Sequence, residues 1–242
     1  MKRYPILIMA YRRTMELQLV LESLKQLNPS VVYFHIHNAP DEESQKEVNE
    51  VKKLIASCEF TKKVKYEKEF LGLRRAVFSA LEWISNEEEQ FYVFEDDIVL
   101  HKNSAVSLDK YMTKLNKEGG VLKFGEWRER PVYWGWAVTS QTAKQLISKD
   151  VWDLPQELIA PYFDDVWHYK GTMEALKRGD GLAWDDEFGI ISKFMNIKEI
   201  ISKDQLTDHI GHVTTREGGY TNGTFHVSFR NGVLIPQEND NA

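Results

Sequence analysis

Residues 90–97, QFYVFEDD, decide how the rest of the chain is interpreted. The run FYVF is aromatic and β-branched, which predicts a buried strand. Three carboxylates, Glu95, Asp96 and Asp97, follow at its end and repel one another. Because side chains alternate along a strand, we expect Glu95 and Asp97 on one side of it and Asp96 on the other.

The residues before this stretch alternate between apolar runs and amphipathic patterns. Strands are predicted at PILIMA (5–10), VVYFHIHN (31–38) and KVKYEKEF (63–70). Helices with apolar residues at helical spacing are predicted at 17–27, 41–57 and 73–84. This β-α-β-α-β-α-β order predicts an α/β fold with a mainly parallel central sheet flanked by helices.

A divalent metal is the direct physical answer to the repulsion at the strand end. Such a cation takes oxygen ligands, and with a bound diphosphate it completes its coordination from phosphate oxygens and water. The alternative is a solvated acidic turn. The position at the end of a parallel strand favours the metal, because ligands of such sheets bind at that edge.

The chain after residue 105 has weaker patterning and is rich in glycine and tryptophan. Helical patterns recur at SQTAKQLISKD (140–150) and YKGTMEALKRG (169–179). The Gly-rich segment REGGYTNGTF (216–225) suits a mobile loop that closes over a bound ligand. No repeat or linker divides the sequence, so we predict a single domain over residues 1–242.

Composition limits the class of protein. An apolar content of 42% over 242 residues is typical of a globular chain, and a net charge of -6 gives no reason to expect nucleic acid. The single cysteine, Cys58, cannot form an internal disulfide, so a cytoplasmic location is expected. No apolar run approaches the ~18 residues of a membrane span, so any membrane contact is expected to be peripheral.

The segment 70–104, FLGLRRAVFSALEWISNEEEQFYVFEDDIVLHKNS, resembles the donor site of nucleotide-sugar glycosyltransferases of the GT-A fold. The resemblance is to the N-acetylglucosaminyltransferase I type and related bacterial surface-polysaccharide transferases. It implies a Rossmann-like GT-A domain. Residues 1–104 would bind the nucleotide sugar, and residues 105–242, with the C-terminal loop, would face the acceptor.

The resemblance also implies which residues contact the donor. Asp97, the last acid of EDD, would bind manganese or magnesium together with a nucleoside diphosphate sugar, with a UDP-sugar favoured. The other expected donor contacts are Tyr11, Arg12, His37, Asn38, Gly72, Arg74, Arg75, Glu95 and Asp96. Gly72 would permit close backbone approach, and one of the two arginines would pair with the diphosphate. The alternative for either arginine is a solvated helix start.

Inverting sugar transfer needs a carboxylate that takes the proton of the acceptor hydroxyl. LAWDDEFG (182–189) resembles an acidic element of the family, which implies Asp185 as general base and Asp186 as a substrate contact and first reserve. Asp165, in YFDDVWHY, is the second reserve. The alternative is that either acidic pair caps a helix.

Two aromatic residues and two late histidines complete the expected site. Trp134 and Trp136, on either side of Gly135, resemble a Gly-Trp element of the family and would form an acceptor platform; the alternative places both in the core. DHIGH (208–212) resembles a late element of the bacterial relatives, so His212 and His226 are expected as further metal or diphosphate ligands. A structural role is the alternative for each histidine.

The sequence therefore predicts a metal-dependent, inverting glycosyltransferase that acts on a glycan or glycolipid acceptor. One alternative is a nucleotidyltransferase, which would carry a Gly-rich signature after the first strand, whereas AYRRTME (10–16) has arginines without glycines. Another is a non-catalytic carbohydrate-binding protein that uses the tryptophans and an acid-bound calcium. The sugar, the base, the acceptor and the oligomeric state stay open.

Overall fold

A computed structural model of the chain describes residues 2–127, 130–155, 184–210, 227–230 and 233–236. Its strands are β1 (Ile6–Ala10), β2 (Val32–His37), β3 (Lys62–Glu67), β4 (Gln90–Glu95), β5 (Ile98–Leu100), β6 (Val121–Lys123), β7 (Glu126–Trp127), β8 (Arg130–Pro131), β9 (Trp136–Thr139), β10 (Glu199–Ile201), β11 (Thr207–His209), β12 (Val227–Arg230) and β13 (Val233–Pro236). Its helices are α1 (Thr14–Leu24), α2 (Glu42–Ser57), α3 (Leu73–Ser85), α4 (Ala105–Glu118), α5 (Ser140–Ile147) and α6 (Trp184–Phe194).

Seven of the described strands form one sheet in the order β10-β6-β9-β4-β1-β2-β3. β1 is parallel to β2 and β4, β2 is parallel to β3, and β6 is parallel to β10. β9 runs antiparallel between β4 and β6. The predicted fold class is confirmed: a mainly parallel central sheet flanked by helices in a single Rossmann-like α/β domain.

Helices cover both faces of this sheet, which explains why the central strands read as continuous apolar runs. Along β1, Ile6 and Ile8 belong to a hydrophobic cluster with α1, α2 and α4. The alternate residues Leu7 and Met9 belong to a second cluster with α3, α5 and α6. The parallel strands β1, β2 and β4 therefore end together at one edge, between the two helix layers.

A turn replaces the expected straight continuation of β4. The strand ends at Glu95, Asp96 and Asp97 form the turn, and β5 follows. β5 then leaves the central sheet and pairs antiparallel with β11 in a two-stranded ribbon. The prediction that Asp96 faces away from Asp97 is wrong, because strand alternation does not extend through a turn.

The predicted order of strands and helices in the first hundred residues is confirmed. In the second half, α5 occupies the first part of the predicted helix at 140–150. The predicted helix at 169–179 and the predicted closing loop at 216–225 lie outside the described residues. Across the part of the chain that the structure describes, no helix is long and apolar enough to cross a bilayer.

Candidate functional site

Arg13 lies against both aspartates of the turn after β4. Its Nη1 is 3.0 Å from Asp96 Oδ1 and 2.7 Å from Asp97 Oδ2. The backbone N–H of Tyr11 donates to Asp96 Oδ2 at 2.8 Å. Both carboxylates are buried, and a buried charge is costly unless an opposite charge lies at contact distance. A protein cation thus compensates part of the repulsion for which the sequence predicted a metal.

A late histidine reaches the same carboxylate. His209 Nε2 is 3.3 Å from Asp97 Oδ2, and the ring of Trp134 lies against the imidazole with centroids 5.1 Å apart. The strand β11 positions this histidine, because His209 pairs with Ile98 in the ribbon. The N–H of Ile210 donates to the backbone carbonyl of Asp97 at 2.9 Å. The β5–β11 ribbon therefore joins a residue near the C-terminus to the turn after β4.

The crowding of carboxyl groups shifts their pKa values upward. Burial, followed by the charge of Asp97, raises the pKa of Asp96 to about 6, although Arg13 opposes the shift. Burial also raises the pKa of Glu95 well above its ordinary value, and neighbouring charges that include Asp185 add to this effect. Asp185, the expected base, thus lies within electrostatic reach of Glu95, the last residue of β4. An edge with this much negative charge favours a bound cation.

The first turn of α6 is fixed by its neighbours. Trp184 is buried and stacks on Trp136 with ring centroids 6.2 Å apart. Arg74 at the start of α3 donates from Nε to both oxygens of the fully buried Glu187, at 2.7 and 2.9 Å. These contacts hold the N-terminal ends of α3 and α6 together. They place Asp185 at the edge where β4 ends.

The same contacts bear on two predictions. Trp136 is 1% exposed and packs in the core between Tyr133 and Trp184, so it is not an acceptor platform. Arg74 is bound to Glu187, and Asp150 lies 3.6 Å from it, so it serves as a helix anchor, and its contact with a diphosphate stays a prediction. Both residues act on the site through the position of α6.

Gly135 is a packing residue as well. Its φ of +75° is a conformation that L side chains rarely adopt. A Cβ at this position would lie 2.8 Å from side-chain carbons of both Phe124 and Thr207. The predicted substrate contact is therefore wrong for Gly135, whose backbone is buried against β11. Trp134, the remaining residue of the expected platform, is partly buried and contacts His209.

Aromatic rings gather where β1 and β2 end. Tyr11 stacks on His37 with centroids 4.4 Å apart, and Phe70 packs edge-on to His37 at 5.4 Å. Burial lowers the pKa of His37, which favours the neutral imidazole. Phe70 is 46% exposed, so the cluster offers an open aromatic face beside the carboxylates. The sequence predicted Tyr11 and His37 as contacts but not Phe70. The one indication for Phe70 was its position two residues before Gly72, at the turn that follows β3.

Two other expected donor contacts bind neighbouring segments instead. Arg12 Nη1 donates to Ser44 Oγ at 2.8 Å, and its Nε is 3.6 Å from Glu47. The Asn38 amide donates to the carbonyl of Lys68 at 2.9 Å and accepts from Lys52 Nζ at 3.0 Å. Arg12 therefore connects the loop after β1 to α2 through side-chain contacts. Asn38 connects the loop after β2 to the residues that follow β3 by a hydrogen bond.

The turn before α3 leaves room for a ligand. Gly72 precedes the helix with a φ of +70°, and a Cβ there would meet nothing within 4 Å. Its positive φ, and not a close approach of protein atoms, is what requires glycine. Arg75 is exposed and lines, with Lys144 and others, a groove of about 580 Å³ between α3 and α5. This groove does not include Asp96 or Asp97.

The donor set at Asp97 fits a divalent cation. Carboxylate oxygen and imidazole nitrogen both bind such ions, and two adjacent ligands of one ion are about 3 Å apart, given bonds of about 2.1 Å. Asp97 Oδ2 and His209 Nε2 are separated by 3.3 Å. Among the described residues, no group of three or more His, Cys, Asp or Glu side chains forms a metal site. The protein would therefore supply two ligands, and the diphosphate and water the rest.

Besides Phe70, three residues of the candidate site were not predicted from the sequence. His209 was passed over in favour of His212 and His226, which lie outside the described residues, as does Asp165. Arg13 was not singled out, although it follows the first strand directly. Glu16 is buried in the first turn of α1, and burial, with a smaller contribution from Asp96, raises its pKa. Only its position three residues after Arg13, close to the end of the first strand, indicated that Glu16 could lie near the site.

No family model matches the chain, and no curated protein matches it. Solved structures match at low identity. A 4-diphosphocytidyl-2C-methyl-D-erythritol synthase from Anaerococcus prevotii is 8% identical with a TM-score of 0.45, over 83% of this chain and 88% of that one. A Bacillus anthracis structure described as a glucose-1-phosphate thymidylyltransferase is 9% identical with a TM-score of 0.48, over 87% and 90%. HddC from Yersinia pseudotuberculosis is 11% identical with a TM-score of 0.39, over 57% and 77%. These similarities are too weak to carry an argument about function.

Proposed function

We propose that the chain is a transferase that binds a nucleoside diphosphate sugar at the edge where β1, β2 and β4 end, and transfers the sugar to a hydroxyl of a glycan acceptor. One observation carries the proposal: a buried aspartate pair with its own arginine and histidine directly follows Glu95, and the charge of a further carboxylate, Asp185, helps to raise the pKa of Glu95. The first group suits a diphosphate with its cation, and the second suits proton removal.

The nucleotide would use the open side of the aromatic cluster. A base would stack on the exposed face of Phe70, beside Tyr11 and His37. Base stacking on an aromatic ring is worth about 1–3 kcal/mol. The diphosphate would then lie towards Gly72 and Arg13, the latter 39% exposed in its side chain and able to donate to phosphate oxygens.

The carboxyl groups would divide the chemistry between them. Asp185 accepts the proton of the acceptor hydroxyl as its oxygen attacks the anomeric carbon; the bond to the diphosphate breaks, and its electron pair leaves with the nucleoside diphosphate. Glu95, the last residue of β4, would form a hydrogen bond with the ribose or the sugar of the donor. Manganese held by Asp97 and His209 would neutralise charge on the leaving diphosphate.

Nucleotidyl transfer is the second candidate. It uses the same kinds of group, namely carboxylates that hold a cation and a site for a nucleotide, at the same edge of the sheet. The carboxylate pair would serve that reaction equally well. Against it, the loop from Tyr11 to Arg13 contains no glycine, whereas a nucleotidyltransferase would carry a Gly-rich signature after the first strand. Sugar transfer therefore stays the first candidate.

An assay of both reactions separates the two candidates. The protein with Mn²⁺ would be given UDP-, GDP- and dTDP-sugars with glycan acceptors, and separately nucleoside triphosphates with sugar 1-phosphates. We expect nucleoside diphosphate release that depends on an acceptor. Pyrophosphate release with a triphosphate and no glycoside product would establish the second candidate instead.

Variants of α6 test the assignment of the base in the same assay. Asp185→Asn is expected to lower kcat by about 10²–10⁴-fold with little change in KM for the donor, as is typical when a general base is removed. Asp186→Asn is the matched control from the same helical turn and is expected to lose less than tenfold, or about 1.4 kcal/mol. A larger loss for Asp186→Asn than for Asp185→Asn would assign the base to Asp186.

A further inference from the structure

We propose that the ion pair between His101 and Asp208 sets the register of the β5–β11 ribbon and thereby holds His209 beside Asp97. His101 and Asp208 would be positioning residues. The inference rests on the proposed function, in which Asp97 and His209 hold the cation. His101 Nε2 lies 2.5 Å from Asp208 Oδ2. The Asp208 hydrogen bond raises the pKa of His101, which favours the charged imidazolium in this pair.

The ribbon is short, and backbone hydrogen bonds beyond its ends, such as that from the Ile210 N–H to the Asp97 carbonyl, share with the ion pair in fixing its alignment. Each strand has three residues, and Thr207, Asp208 and His209 pair with Leu100, Val99 and Ile98. A two-stranded ribbon is marginal by itself. A slip by one residue turns every side chain to the opposite face, which would take His209 away from Asp97.

The two faces of β11 carry different attachments. On one face, the hydroxyl of the buried Thr207 donates to the carbonyl of Trp134, and His209 lies against the ring of the same tryptophan. On the other face, Asp208 reaches the residue that follows β5, His101. The N–H of His101 also donates to the carbonyl of Leu206 at 2.8 Å. The ion pair therefore involves β11, the strand that carries His209, and lies on the face of β11 opposite to the His209 side chain.

The chain provides a matched ion pair away from the site. Lys123 and Glu199 join β6 to β10 at 2.9 Å, and Glu199 is 31% exposed compared with 26% for Asp208. Glu199→Gln and Asp208→Asn each remove one carboxylate charge from a bridge between two strands. Lys123 is 6% exposed and His101 is 29% exposed, so Glu199→Gln is expected to lower the melting temperature at least as much as Asp208→Asn. A loss of ligand affinity in Asp208→Asn alone therefore reports position and not general stability.

The test measures the affinity for Mn²⁺ with UDP by titration calorimetry in four proteins: the parent, Asp208→Asn, His101→Gln and Glu199→Gln. Loss of a residue that orients a metal ligand typically weakens metal binding by about 10–100-fold. We expect at least a tenfold loss for Asp208→Asn and His101→Gln, and less than a twofold change for Glu199→Gln. An unchanged affinity in Asp208→Asn would overturn the inference.

Two further measurements keep the inference separate from the proposed function and from misfolding. If the parent binds no nucleotide, the proposed function fails, and amide hydrogen exchange at Ile210 still tests the register: Asp208→Asn should speed exchange there and Glu199→Gln should not. The exchanged pair His101→Asp with Asp208→His should recover affinity that either single change loses. A double variant as weak as the single ones, or unchanged exchange at Ile210, would contradict the inference.

Discussion

Arg13 is the residue on which the acidic edge depends. One guanidinium nitrogen contacts Asp96 and Asp97, whose side chains are 4% and 2% exposed. The sequence predicted a bound cation at this place. It did not indicate that an arginine of the protein would supply part of the positive charge. The reason is distance: 83 residues separate Arg13 from Asp96, and only the pairing of β1 with β4 brings them together.

Replacement of Arg13 should therefore destabilise the fold. Arg13→Met removes the guanidinium from two buried carboxylates. We expect a loss of about 3 kcal/mol in the free energy of unfolding, the low end for a broken buried pair, because the arginine is partly exposed. Arg12→Met is the matched control and should cost less than about 1 kcal/mol, since Arg12 and Glu47 form a surface pair. Urea unfolding measures both. Equal small losses would mean that Arg13 does not carry this charge compensation.

Gly135 and Gly72 give a second comparison at the residue scale. Both have positive φ, but a Cβ on Gly135 meets Phe124 and Thr207 whereas a Cβ on Gly72 meets open space. We expect Gly72→Ala to cost about 1 kcal/mol from backbone strain, and Gly135→Ala to cost about 1–3 kcal/mol more from overpacking. Thermal unfolding measures the difference. Similar melting temperatures would argue against the close contact between Gly135 and β11.

At the scale of elements, the order of strands and helices was predictable from the sequence. The contacts between elements that are far apart in the chain were not. Period-two and helical patterns are local, so seven elements in a row could be assigned from the sequence alone. The contact that gives Arg74 its role crosses 113 residues to Glu187, and nothing local distinguishes an anchoring arginine from one that binds phosphate. The turn at Asp96 and Asp97 likewise depends on β11, a strand more than a hundred residues later.

The interface between α3 and the sheet supplies a prediction about pH. His35 is 1% exposed, with Ser79, Lys65 and Glu67 around it, and burial lowers its pKa to about 4. Between pH 6.5 and 4 the unfolded chain then binds more protons than the folded one, so stability falls as pH falls. A shift from 6.5 to about 4 corresponds to about 3 kcal/mol.

Unfolding of the parent and of His35→Asn at a series of pH values checks this. His35→Asn cannot titrate, so its stability should fall less than that of the parent between pH 6.5 and 4, whatever its stability at pH 7. Glu67, whose pKa is lowered to about 2, contributes stability that is lost mainly below pH 4.5, and the hydrogen bonds from Lys65 and Ser79 that lower its pKa remain in both proteins. Parallel curves through the upper window would contradict a buried neutral His35.

At the scale of the whole molecule, the site combines early and late parts of the chain. Strands β1, β2 and β4 provide the edge, and β11 and α6 deliver His209 and Asp185 to it. The sequence predicted that β1, β2 and β4 end together, because parallel strands that alternate with helices share one edge, and the sheet confirms this. The sequence could not select the late histidine, since His209, His212 and His226 look alike until the partner strand of the ribbon is known.

The central claim is that this edge binds a nucleoside diphosphate through Asp97. The most direct measurement is thermal unfolding with UDP, GDP, dTDP and CMP in turn, each with Mn²⁺ or with EDTA, on the parent, Asp97→Asn and the exposed control Asp204→Asn. One diphosphate should stabilise the parent and Asp204→Asn with Mn²⁺, by about 2.7 kcal/mol at a hundredfold excess over Kd. Asp97→Asn should lose the effect. No stabilisation by any nucleotide, or equal stabilisation of Asp97→Asn, would contradict the account.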